Sequence, residues 1–121
     1  MSHVVSIQSR ITDSSAVNAA CQRLGLTSPV QGTAKLYSGE ATGLLLHLPD
    51  WKFPVAINTT TGEIQFDDYE GQWGDRQSLD RFLQMYAVEK AKLEARKRGF
   101  TVTEQALEDG SIKIQLVEGG A

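Results

Sequence analysis

Cysteine, cationic surplus, long apolar runs and catalytic motifs are all scarce or missing in this sequence, and each shortage excludes something. Cys21 is the only cysteine, so there is no disulfide framework within the chain and no cysteine cluster for zinc or iron–sulfur ligation, and a reducing compartment is the default. No run approaches the roughly 18 apolar residues of a membrane span. The Met1-Ser2-His3 start also lacks the basic then apolar pattern of a secretion signal, and a cytoplasmic setting is expected. Lys and Arg number 12 against 15 Asp and Glu, a formal net charge of −3, whereas a dedicated nucleic-acid binder needs a surplus of cations on one face. There is no P-loop, no G-x-G-x-x-G, no H-E-x-x-H and no G-x-S-x-G, so no motif argues for an enzyme or for a cofactor.

What is present reads as one globular domain. Hydrophobic residues at 40% and charged residues at 22% are ordinary values, and 121 residues can bury a working core without covalent staples. Residues 1–117 are expected to form a single α+β domain, with 118–121 as a flexible tail. The best-specified stretch is a long helix from Ser78 to Arg98, with Leu79, Phe82, Leu83, Tyr86 and Leu93 on one face. Gly99 closes it at the left-handed position after the helix, and Arg96, Lys97 and Arg98 complement the dipole in its last turn. A hairpin follows, Phe100 to Glu104 and Ser111 to Val117, turning at Asp109-Gly110.

Upstream, His3 to Ile11 alternates as a strand, and Asp13 caps a helix whose stripe is Val17, Ala20, Cys21 and Leu24. On that stripe Cys21 is a small core residue rather than a nucleophile. Thr27 to Gly32 reads as a connector. Strands are expected at Thr33 to Tyr37, Gly43 to Leu48 and Phe53 to Asn58, the last paired through a Thr59-to-Gly62 turn with Glu63 to Asp67. The order β-α-β-β-β-β-α-β-β predicts an antiparallel sheet of about six to seven strands with two helices packed on one face. Lys35, Tyr37, Gln65, Thr101, Thr103, Lys113 and Gln115 would occupy the open face.

Candidate functional residues fall in four groups. Asp67 to Asp75 combines four acids with Tyr69, Trp73 and two glycines. It does not match a calcium loop, and it exceeds the usual connector length of about two to six residues. An acidic aromatic loop of this kind suits a protein partner, with Tyr69 and Trp73 as anchors and Asp68 and Glu70 as a steering rim. Lys90 and Lys97 sit near the centre of the long helix's apolar stripe, either laying their stems along apolar surface or marking a cationic contact. With Lys92, Arg96 and Arg98 they also compose a local basic patch, the basis of an alternative nucleic-acid-binding reading. A metal-dependent or catalytic alternative would use His3 and His47 with Asp50, if their strands pair. Trp51 and Trp73, both on connectors, either plug a sheet edge or are displayed.

The residues Arg23-Leu24-Gly25, Tyr86-Ala87-Val88-Glu89-Lys90, Ala95 to Phe100 and Asp109 to Ile112, with the Met1-Ser2-His3 opening, resemble a small family of unknown function typified by the hypothetical chloroplast reading frame thirty-five. That family occurs in cyanobacteria, algal plastids and other bacteria. The resemblance spans essentially the whole chain, most strongly at its two ends. It implies a cytoplasmic or stromal protein, no catalytic residues, and a protein partner for which a small ferredoxin-like protein is a candidate.

Overall fold

The computed structural model describes residues 4–118. Seven strands and two helices follow the expected order: β1 Val5–Gln8, α1 Ser14–Arg23, β2 Val30–Lys35, β3 Glu40–Leu46, β4 Val55–Ile57, β5 Glu63–Phe66, α2 Arg76–Lys97, β6 Phe100–Ala106 and β7 Ile112–Glu118. The fold is α+β and its strand pairs are antiparallel. The seven strands divide, however, into a five-stranded sheet of order β1-β5-β4-β3-β2 and a separate β6-β7 ribbon.

The sheet is a meander with β1 returned to its far edge, and its alternation sets two faces. Leu44, Leu46, Val55, Ile57, Ile64 and Phe66 point to the helices, where Ala16, Val17, Ala20 and Cys21 of α1 meet Leu79, Phe82 and Tyr86 of α2. Burial pushes the Cys21 thiol up to about 11, in keeping with an inert core residue. The other face is not bare. Ala41 and Ala56 are buried there with Leu36, and Val4, Leu45 and Phe53 pack against them.

Helix α2 begins two residues earlier than its periodicity suggests because Asp75 caps it, accepting from the Gln77 amide at 2.9 Å. Gly99, at φ +86°, closes it. Val88 and Ala95 are buried although they lie about half a turn away from Leu79. The ribbon covers them: its inward residues are Phe100, Val102, Ile112 and Ile114, and the Gln84 side-chain amide holds the ribbon's tip by donating to the Gly110 carbonyl at 2.9 Å. Helix α2 thus lies between the sheet and the ribbon. Thr101, Thr103, Lys113 and Gln115, expected on the sheet's open face, lie on the outer side of this ribbon instead. Val30 to Gly32, expected as connector, extends β2 by pairing with Leu45, Leu44 and Gly43. Glu118, placed with the tail, ends β7, and residues 119–121 lie outside the described part.

An ion-pair network joins three elements. The Arg23 guanidinium at the end of α1 grips Glu104 of β6 with two contacts at 2.5 and 2.8 Å, and reaches Glu89 of α2 at 3.3 Å. Lys92 bridges the same two acids at 3.0 and 2.6 Å. Arg23 and Lys92 together pull the Glu104 carboxyl from 4.5 down to about 2. A carboxyl with a lowered folded pKa stabilises fully above its unfolded value, and that contribution disappears as pH falls through the folded one. Glu104→Gln is therefore expected to lose about 1–2 kcal/mol at neutral pH, allowing for partial solvent screening. It should also flatten the loss of stability between pH 4.5 and about 2. Urea unfolding across that range checks both; an unchanged acid limb would show that Glu104 does not clamp the ribbon.

Candidate functional site

Residues 67–75 carry the clearest departure from ordinary backbone in the molecule. Tyr69, Glu70 and Gly71 all have left-handed φ, at 48°, 52° and 94°. Their amides and carbonyls close a tight coil in which Gly71 and Trp73 donate to the Asp68 carbonyl at 3.0 and 2.8 Å, and Gln72 donates to the Tyr69 carbonyl at 3.0 Å. L-residues enter this region at a cost of about 1–2 kcal/mol each, so two consecutive non-glycine residues there store strain that the rest of the loop must hold. Asp67 helps by accepting from the Tyr69 amide at 3.2 Å. Its other carboxylate oxygen is buried and has no hydrogen-bond partner among the described residues.

The Glu70 side chain is exposed, so Glu70→Gly removes strain without removing a contact. It is expected to raise stability by about 0.5–1 kcal/mol once the added freedom of the unfolded chain is subtracted. A lower urea midpoint for this variant would mean that the carboxylate, not the backbone, matters at this position.

The coil presents an aromatic cluster. The Trp73 ring lies 4.6 Å from Tyr69, 5.2 Å from Tyr37 and 5.5 Å from Phe53, centroid to centroid, all within the range of favourable tilted and edge contacts. The Lys52 ammonium stands 4.4 Å above the Trp73 ring, a cation–π contact, and the Lys52 amide donates to the Trp73 carbonyl at 2.8 Å. Tyr37 is 67% exposed, while Tyr69, Phe53 and Trp73 are half-buried. Trp73 is thus both supported and partly displayed. Trp51, by contrast, is a plug: it packs edge-on to Phe66 at 5.7 Å and its Nε1 donates to the Asp75 carbonyl at 3.1 Å.

The steering rim expected from sequence is reduced by this geometry. Asp68 is 3% exposed and faces Arg76 at 3.8 Å, because the coil turns its carboxylate inward; Glu70 alone of that pair is a surface charge. Tyr37, Phe53 and Lys52 join Trp73 from 20 to 36 residues away, and the only signal for them in the sequence is their type, two aromatics and a cation flanking a turn and a connector.

Lys90 and Lys97, the two cations on the long helix's stripe, both make ion pairs. Lys90 pairs with Glu94 at 2.9 Å and with Asp13, the cap of α1, at 3.0 Å. Glu94 first and Asp13 second raise its pKa, and Lys90 in turn lowers that of Asp13. Lys97 is more exposed and contacts Glu94 at 3.3 Å. With Lys92 bound in the three-element network, Arg96 and Arg98 are the members of the basic patch that make no ion pair among the described residues. His47 is exposed and His3 lies outside the described residues. Among the described residues no group of three or more His, Cys, Asp or Glu side chains is placed to hold a metal ion, and no helix is long and apolar enough to cross a membrane. No family model matches the chain, and no curated protein or solved structure matches it.

Proposed function

We propose that the protein is a non-enzymatic binding or assembly module whose partner is another protein, docked on Tyr37, Tyr69 and Trp73 with Glu70 and Lys52 at the margin. The observation that carries this reading is the strained left-handed coil that holds Trp73 against three other rings. Backbone strain of this kind persists where the surrounding structure over-determines it, and it concentrates at ligand-contacting segments. Half-exposed aromatic rings beside charges of both signs match the anchors and rim of protein interfaces. Membership of the plastid reading-frame family belongs to the same proposal, and a small ferredoxin-like protein is the first partner class to try.

Trp73→Ala would strip three aromatic contacts and disturb the fold as well as the surface, so Tyr37 is the sharper test. Its ring is mostly solvent-exposed. Tyr37→Ala is expected to weaken partner retention about tenfold or more, near 1.4 kcal/mol, while moving the melting temperature little. The measurement is quantitative affinity capture from an extract of the source cells, comparing the wild-type chain with Tyr37→Ala and with the remote Glu104→Gln. Equal recovery of every interactor by wild type and Tyr37→Ala would remove the cluster from the interface.

A further inference from the structure

A second surface, sharing no residue with the Trp73 cluster, has its own binding chemistry. Leu83, Ala87 and Ala91 follow one another at four-residue spacing along α2 and form a ridge, of which Ala87 and Ala91 are exposed. On one side of this ridge lies an open apolar groove of about 600 Å³, walled by Ile11 and Arg10 of the β1–α1 connector and floored by Tyr86. On the other side a cleft runs between Ala95 of α2 and Phe100 and Leu116 of the ribbon. The two depressions share Ala91 and Glu94 as lining residues, so they adjoin along α2 and together make one open trough beside the helix, apolar where they meet except at Glu94. Leu116 is 49% exposed within it. Contiguous apolar surface with a polar margin marks an interaction surface in soluble proteins.

Shape and charge select the occupant. A small molecule needs enclosure of most of its surface, which an open trough does not provide, whereas an amphipathic helix laid in a groove leaves its polar side in water. From Leu83 to Arg98 the α2 residues that line the trough span about 22 Å, the length of about 14 helical residues. Beside these residues, Lys90 and Lys97 are balanced by Glu94 and Asp13 in ion pairs. Arg10 and Arg98 make no ion pair among the described residues, and both are exposed. We infer that this trough binds an amphipathic helix of a partner protein that carries acidic residues beside its apolar stripe. Small Ala87 and Ala91 admit close approach of the helix, and Arg10 and Arg98 receive its carboxylates.

The test uses the full chain and two labelled helical peptides of about 14 residues, sharing one apolar stripe, flanked by glutamates in one and by lysines in the other. Fluorescence anisotropy at moderate salt should show saturable binding of the acidic peptide, at least tenfold tighter than the basic one. Ala91→Arg, a change at an exposed helical position whose fold is verified by its melting curve, should weaken that binding tenfold or more. The double variant Arg10→Glu/Arg98→Glu should shift preference toward the basic peptide. Absence of binding by either peptide, equal binding of both, or indifference to Ala91→Arg overturns the inference. Self-association in sedimentation that Ala91→Arg abolishes overturns it too, by assigning the trough to a second copy of the chain.

Discussion

Gly74→Ala is expected to lower the unfolding free energy by about 2–3 kcal/mol, at the upper end of ordinary overpacking. A Cβ built on Gly74 falls within the Trp51 indole, against its Cδ2, Cε2 and Cε3 atoms. A flexible neighbour would swing aside. Trp51 is held on two sides, by its edge contact with Phe66 and by the bond from its Nε1 to the Asp75 carbonyl, so either the ring leaves its slot or the backbone entering α2 shifts. The cause can be isolated with a double-mutant cycle. In a Trp51→Leu background, Gly74→Ala should cost less than about 0.5 kcal/mol, because the atoms it collides with are gone. An equal cost in both backgrounds, measured by urea unfolding, would place the penalty in the backbone and not in the indole.

Gly62→Ala is expected to be worse, about 3 kcal/mol or more, because two penalties coincide there. Gly62 has φ +83°, and the added Cβ would collide with the carbonyl of Ser9. That carbonyl belongs to a backbone segment fixed by the Ser9 amide donating to Gly62 at 2.9 Å and the Ser9 hydroxyl donating to the same oxygen at 2.5 Å. These bonds fasten the end of β1 to the β4–β5 turn. Gly99 supplies the control: its φ is +86°, yet a Cβ there meets nothing within 4 Å. Gly99→Ala should therefore show the conformational penalty alone, about 1 kcal/mol. Thermal or urea unfolding of the two variants separates strain from collision, and equal losses would contradict the collision.

Much of this fold was legible because its local signals agree with its packing. The cap at Asp13, the stripe Val17-Ala20-Cys21, the Gly62 turn and the Gly99 stop each act within a few residues and were read from the chain. What alternation does not reveal is the partner of a buried face. Val102, Ile112 and Ile114 alternate in the same way whether they extend a sheet or lie on a helix, so the division of strands into five and two was not visible in them. A signal did exist on the other side. Val88 and Ala95 form a second apolar line about 180° from Leu79, and a helix with two apolar faces requires two covering layers. The candidate site was less legible. Tyr69 and Trp73 stood out by composition, but Asp68 turns inward because Tyr69 and Glu70 adopt a left-handed conformation, which neither residue type favours. The approach of Tyr37 and Phe53 to Trp73 depends on tertiary packing that no local pattern records.

The position of α2 between sheet and ribbon also divides the molecule's cooperativity. The ribbon forms no strand pair with the five-stranded sheet, and its hold on the body comes from one helix face and a cluster of ion pairs. The sheet, α1 and the inner face of α2 are therefore expected to stay folded while β6 and β7 detach, so that amides of the C-terminal strands exchange with solvent at lower free energy than those of β3 and β4; equal exchange in both would show a single cooperative unit. Detachment would uncover Val88 and Ala95 and remove one wall of the apolar trough, making the stability of this small unit a factor in whatever binds there.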